Sequence, residues 1–172
     1  MRTALIIACL SACLAPAPAS ASRALDGGSN EVPGDSPLVF CEGDHGKDIV
    51  DIERVDITPN PPIPGQNLTI SASGTVKEVI ETGAYVHLSL KYNKFIPIPI
   101  NNQGLCENIG QVGLQCPLEP GKMTISKEFA LEKQIPPGTY DVQADVFTKD
   151  NRKITCLQAS VVFEQHGFSN EL

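Results

Sequence analysis

Apolar residues in this chain recur at every second position, in runs bounded by proline and glycine, and that regularity constrains the fold more than any other feature. Leu68, Ile70, Ala72, Gly74 and Val76 alternate with Thr69, Ser71, Ser73, Thr75 and Lys77. Val86, Leu88, Leu90 and Tyr92 alternate with Tyr85, His87, Ser89, Lys91 and Asn93, and Tyr140, Val142, Ala144 and Val146 with Asp141, Gln143, Asp145 and Phe147. A helix would space such residues three and four apart; a period of two collects them on one face of a strand. Each run therefore predicts a strand with one buried face, as antiparallel sheets have. Further strands are expected over 52–58, 123–131 and 153–163, with a bulge where the apolar parity changes after Cys156. Turn signals separate them: Pro59-Asn60-Pro61-Pro62, Pro64-Gly65, Thr82-Gly83, Pro120-Gly121, Pro136-Pro137-Gly138 and Lys149-Asp150-Asn151. Six or seven strands so punctuated predict an all-β, two-sheet antiparallel sandwich. The chain has no Trp, and Ala72, Gly74 and Ala144 are small for inward positions. They leave room between the sheets, which on these residues alone is expected to be filled by other side chains.

The ends fix the compartment. Positive charge in residues 1–3, an apolar run from Ala4 to Leu14 and the small residues to Ala21 have the order of a secretory signal peptide, with cleavage expected at Ala19-Ser20-Ala21. The apolar run is too short to span a bilayer. Residues 22–37 lack apolar periodicity and read as a flexible arm or pro-segment. The domain is expected over 38–172, with a polar tail from about 164. Cys9 and Cys13 leave with the signal, so Cys41, Cys106, Cys116 and Cys156 remain. An even set entering an oxidising lumen predicts two disulfides, and four cysteines allow three pairings. Secretion, or delivery to a vacuolar or endosomal lumen, is expected.

Of 13 basic residues one, Arg2, also leaves, so 12 face 20 acidic residues and the formal charge becomes −8. A phosphate backbone demands a basic face, so nucleic acid is a poor partner. Asn67-Leu68-Thr69 is the one glycosylation sequon, with Asn67 on the wet parity of its strand. No G-x-S-x-G elbow, zinc-type histidine spacing or phosphate-cradling glycine loop is present. His45, His87 and His166 are far apart; Asp44-His45 mimics part of a catalytic pair only as a dipeptide. A non-enzyme with no metal, no catalytic residues and no cofactor is expected.

Three segments carry a family resemblance: Cys106 through Cys116-Pro117, Pro136 through Val142, and Asp150 through Cys156 resemble the ML lipid-recognition domain. The stretch from Thr58 to Leu68 is similar to the fungal branch, the phosphatidylglycerol/phosphatidylinositol transfer proteins, which are relatives of the lysosomal Niemann–Pick sterol carrier. The resemblance covers roughly residues 38–163. It implies an immunoglobulin-like sandwich with a lipid cavity between its sheets, and the pairing Cys41–Cys156 with Cys106–Cys116. It also implies a proline-rich lipid portal, matched here by Phe95, Ile96, Ile98 and Ile100; the competing reading of that segment is an edge strand in which proline blocks further pairing. Val86, Leu88, Leu90, Tyr92, Val142, Ala144 and Val146 are then the expected pocket walls.

The function so implied is transfer of phosphatidylglycerol and phosphatidylinositol between membranes by a monomer that touches the membrane surface transiently. Sterol carriage is the nearest alternative, although the animal sterol carriers have a third disulfide that this chain lacks. A secreted sandwich that recognises a protein or glycan is the alternative of another class, and a lipid-presenting activator of a hydrolase is a third.

Overall fold

The computed structural model describes residues 30–164. Among them, nine strands form two antiparallel sheets. The larger sheet has the order β1-β9-β8-β4-β5, made by β1 (Leu38–Phe40), β9 (Lys153–Phe163), β8 (Gly138–Phe147), β4 (Tyr85–Tyr92) and β5 (Ile96–Ile98). The two-residue β6 (Gln103–Gly104) also pairs with β4. The smaller sheet is β2-β3-β7, from Val50–Thr58, Asn67–Val76 and Gly121–Ala130. The expected all-β sandwich is what forms, and all six expected long strands are present within a few residues of their predicted ends. The only α-helix among the described residues is the short α1 (Leu105–Ile109), followed by a 3-10 turn at Gly110–Val112.

Register explains the alternation. Leu90, Val142 and Ala159 are cross-strand neighbours with Leu38, and Leu88, Ala144 and Leu157 with Phe40. These rows share one face, which is turned toward the small sheet. The bulge in the large sheet lies opposite Val146/Phe147, where Ile154 is the extra residue, before Cys156 and not after it as expected. The extra residue lets Ile154 turn inward to 2% exposure while Cys156 still reaches its disulfide partner. A second bulge, in β2 between Ile52 and Arg54, brings backbone so close to Gly74 that a Cβ there would lie 2.6 Å from the Asp51 carbonyl oxygen.

Fully buried side chains form two clusters. Ile49, Val76, Ile80, Ala84, Leu118 and Ile154 pack at one end. Val32, Val55, Ile57 and Leu68 form the second cluster, with Leu38, Phe40 and Leu157 of the large sheet packed against it. Disulfides join Cys41 to Cys156 and Cys106 to Cys116.

The start of the domain needs correction. Residues 30–37 are part of the fold and form a strap between the sheets. Glu31 bridges to Val39, while Pro33 and Asp35 carbonyls accept from the Val55 and Ile57 amides of β2 at 2.8 Å. Val32 is 3% exposed. The strap escapes a periodicity search because Val32 is its one non-proline apolar residue; main-chain hydrogen bonds hold the rest. Gly34, at φ +120°, passes so close to Val55 that a Cβ would lie 2.1 Å from its carbonyl oxygen. Arg54 grips Asp56 through two hydrogen bonds and Asp56 accepts from the Asp35 amide, so the Asp56 carboxyl is held below its usual range. The expected signal peptide, the first part of the arm and the tail beyond residue 164 lie outside the described residues.

Candidate functional site

Between the two buried clusters the sandwich is not filled. A cavity of about 270 Å³ is lined almost wholly by apolar side chains. Its floor is the small sheet: Val50, Ile52 and Val55 of β2, Ile70, Ala72 and Gly74 of β3, and Met123 and Ile125 of β7. Leu38 and Leu157 close it from the large sheet, and Leu114 reaches in from the loop closed by Cys106–Cys116. Ala72 sits in mid-strand, where a larger residue would fill the gap, while the Asp51 carbonyl confines position 74 to glycine. The small inward residues were the signal in the sequence, and the expectation that other side chains take up their space is corrected. Its lining offers almost no polar group to hold water and suits an apolar ligand.

The predicted walls are on the correct face but are not the walls of this cavity. Val86, Leu88, Leu90, Tyr92, Val142, Ala144 and Val146 are all half-buried on the inward face of β4 and β8, and none of them lines the cavity from within. Alternation identifies the apolar face of a strand; where the void falls depends on which parts of two faces lie over short side chains. Met123, Ile125 and Leu114 were missed for that reason, and Leu114 is on no strand at all.

The segment predicted as a portal forms the β4–β5 hairpin at the free edge of the large sheet. Its loop, Asn93-Lys94-Phe95, lies between the paired Tyr92 and Ile96, and Asn93 and Lys94 take left-handed φ values of +50° and +68°. Thr139 donates to Asn93 Oδ1 at 3.0 Å and the Asn93 amide donates to the Thr139 carbonyl at 2.7 Å, fixing the hairpin root. Ile96 lies opposite Tyr92 and Ile98 opposite Leu90, so both share the inward face. Phe95 is 87% exposed, Ile96 55% and Ile98 37%, while Ile100 is half-buried. The segment is thus an edge strand that leaves its apolar side chains in the open. The strap covers the opposite side of the sandwich, along β1 and β2.

Tyrosines support the rim. Tyr92 donates to the Pro137 carbonyl at 2.7 Å and Tyr140 to that of Pro136 at 2.9 Å. Their ring centroids are 5.2 Å apart, and Phe163 meets Tyr140 edge-on at 5.5 Å. Desolvation, with a smaller contribution from Tyr92, raises the Tyr140 phenol above the ordinary tyrosine value.

Among the described residues, the histidines and carboxylates singled out in the sequence make structural contacts. His45 Nδ1 meets Asp48 Oδ2 at 2.8 Å and Nε2 meets the Cys41 carbonyl at 2.6 Å, so the ring clamps the segment after β1. Asp44 instead accepts from the Gly46 amide. His87 pairs with Asn102 at the surface, and His166 lies outside the described residues. Asp145 Oδ1 is 2.9 Å from Cys156 Sγ, yet both sulfurs in that group are joined in a disulfide and offer no thiolate to a metal. Asn67 is exposed, with its side-chain amide donating to Glu128.

An antiparallel sandwich with an apolar void between its sheets and an apolar hairpin at its open edge belongs to the class of β-sandwiches that enclose apolar ligands. The ML domain profile matches residues 35–163, beginning within the strap. The chain belongs to the ML domain family. It is 49% identical to a phosphatidylglycerol/phosphatidylinositol transfer protein of Pyricularia oryzae, over 81% of this chain and 78% of that one. A protein of the same name from Aspergillus fumigatus is also 49% identical, over 88% and 91%. Among solved structures, chicken MD-1 complexed with lipid IVa is 17% identical over 77% of this chain and 95% of that one, with a TM-score of 0.48.

Proposed function

We propose that this protein carries phosphatidylglycerol and phosphatidylinositol between membranes, shielding their acyl chains between its sheets. The apolar cavity over Ala72 and Gly74 carries the reading, in a chain half identical to relatives named for that transfer. Each methylene moved from water into such a space gains about 0.8 kcal/mol, so a lipid crosses water far more readily inside the protein. The cavity of about 270 Å³ falls just below the range of roughly 300–1,000 Å³ typical of ligand sites, so a two-chain lipid needs the sheets to part. The half-buried inward face of β4 and β8 provides the surface along which they part, on the side the strap leaves uncovered. Phe95, Ile96, Ile98 and Ile100 form the mouth, touching the membrane transiently while the headgroup stays hydrated outside. The carrier works as a monomer in the secretory pathway, with Asn67 open to glycosylation, and its cycle includes no covalent step and no cofactor.

Native mass spectrometry of the secreted protein, followed by organic extraction, tests this. A stoichiometric anionic phospholipid is expected. A bound sterol that phospholipid does not displace would move the cargo to the sterol class, and a protein that refuses both would leave a module for protein or glycan recognition.

A further inference from the structure

A concavity larger than the cavity lies on the outer face of the large sheet. There Lys91 stands opposite Asp141 and Asp141 opposite Ser160, while the next row places Ser89 and Gln158 on the same face. With Lys94 from the hairpin turn these residues line an open cleft of about 420 Å³. Among the described residues no ion pair within 4.0 Å involves Lys91, Lys94 or Asp141, although Lys91 and Asp141 are direct cross-strand neighbours. Lys91 and Lys94 thus line one cleft with no ion pair among the described residues, in a chain of formal charge −7. Beside them stand hydroxyls, an amide and a carboxylate, the groups that recognise a polyol. Phe95, exposed at 87%, follows Lys94 at the tip of the same hairpin, while Ile96 turns to the inward face.

We propose that this outer cleft docks the headgroup of an anionic polyol lipid resident in the bilayer, apart from the cavity that holds cargo. The phosphate meets Lys91 and Lys94, and the headgroup hydroxyls meet Asp141 and Gln158. Phe95 at the hairpin tip enters the adjoining acyl region, so docking brings the mouth to a membrane that contains the lipid to be collected. The assignment rests on the lipid-transfer reading for its biological sense, but its chemistry is tested separately.

The experiment is co-sedimentation with phosphatidylcholine vesicles that contain phosphatidylinositol, phosphatidylserine or neither, alongside native mass spectrometry for cargo. The double variant Lys91→Ala/Lys94→Ala is expected to bind phosphatidylinositol vesicles about 30-fold more weakly, from two lysines at an anionic surface. Its binding to phosphatidylcholine alone and its cargo occupancy are expected to match the parent. Asp141→Asn is expected to reduce the preference for phosphatidylinositol over phosphatidylserine. A double variant that binds phosphatidylinositol vesicles as the parent does overturns the proposal. Equal binding of the parent to phosphatidylinositol and phosphatidylserine overturns it too, because charge alone then accounts for docking. A parent that selects phosphatidylinositol vesicles through these lysines yet carries no lipid supports the cleft and refutes the carrier reading.

Discussion

Ala72→Leu puts the void between the sheets to a test of sign. Ala72 lies opposite Val55 and Ile125 and faces a cavity of about 270 Å³. In a well-packed core, trimming a buried leucine to alanine opens a void of about 150 Å³. The reverse change here fills roughly that much, and at about 24 cal/mol per Å³ of void removed the gain is at most about 3.6 kcal/mol. Rotamer restriction and imperfect fit reduce this to a stabilisation of about 1–3 kcal/mol. The lipid loses the same room: three added carbons displace roughly three methylenes, about 2.4 kcal/mol of transfer energy and close to 50-fold in affinity. Ala84 is the control, since it is 1% exposed within the packed cluster of Ile80 and Ile154. Ala84→Leu overpacks that cluster and is expected to cost about 1–3 kcal/mol. Urea unfolding of delipidated protein reads both variants, as midpoint shifts of opposite direction with an unchanged slope. Uptake of a fluorescent phospholipid reads the affinity. Destabilisation of both variants by similar amounts would refute the reasoning, because Ala72 would then face a filled core.

Ile98→Asp places a charge on a side chain that is 37% exposed, so the carboxylate stays hydrated and the circular-dichroism spectrum is expected to be unchanged. Lipid uptake is expected to be lost, and uptake at the parental level would remove the portal assignment. Replacing Cys41 and Cys156 by serine releases a loop with a sequence separation of 115, which the chain-entropy model puts at about 4.7 kcal/mol. Cys106 and Cys116 are separated by 10, which gives roughly 2.8 kcal/mol; the reverse order of urea midpoints would reject a loop-length origin. Burial holds the Tyr140 proton more tightly in the folded protein than in the unfolded chain. The stability that this lends is whole below the unfolded tyrosine value of about 10 and is lost as pH rises through the raised folded value. Absorbance titration is expected to show one late tyrosinate that Tyr140→Phe abolishes, and a late step that survives in Tyr140→Phe would reject its assignment to this residue.

Residues in sequence were enough for the strands, their inward faces and the sandwich, because side-chain alternation is a local property of each run. The resemblance added a disulfide pairing that the structure contains, whereas counting cysteines left three choices open. The hairpin at Asn93-Lys94 was less legible, since neither residue is glycine, and the strap was invisible because main-chain hydrogen bonds have no side-chain signature. Ala72 and Gly74 announced small volume, but a small side chain makes a void only if nothing opposite grows into it. Which residues wall the cavity was therefore settled by how two sheets face each other, and Leu114 joined them from a loop outside both sheets. The sequence by itself determined the faces, since each strand carries its own period. The tertiary structure alone decided where the two faces fail to meet, because a gap belongs to a pair of surfaces and to neither strand alone.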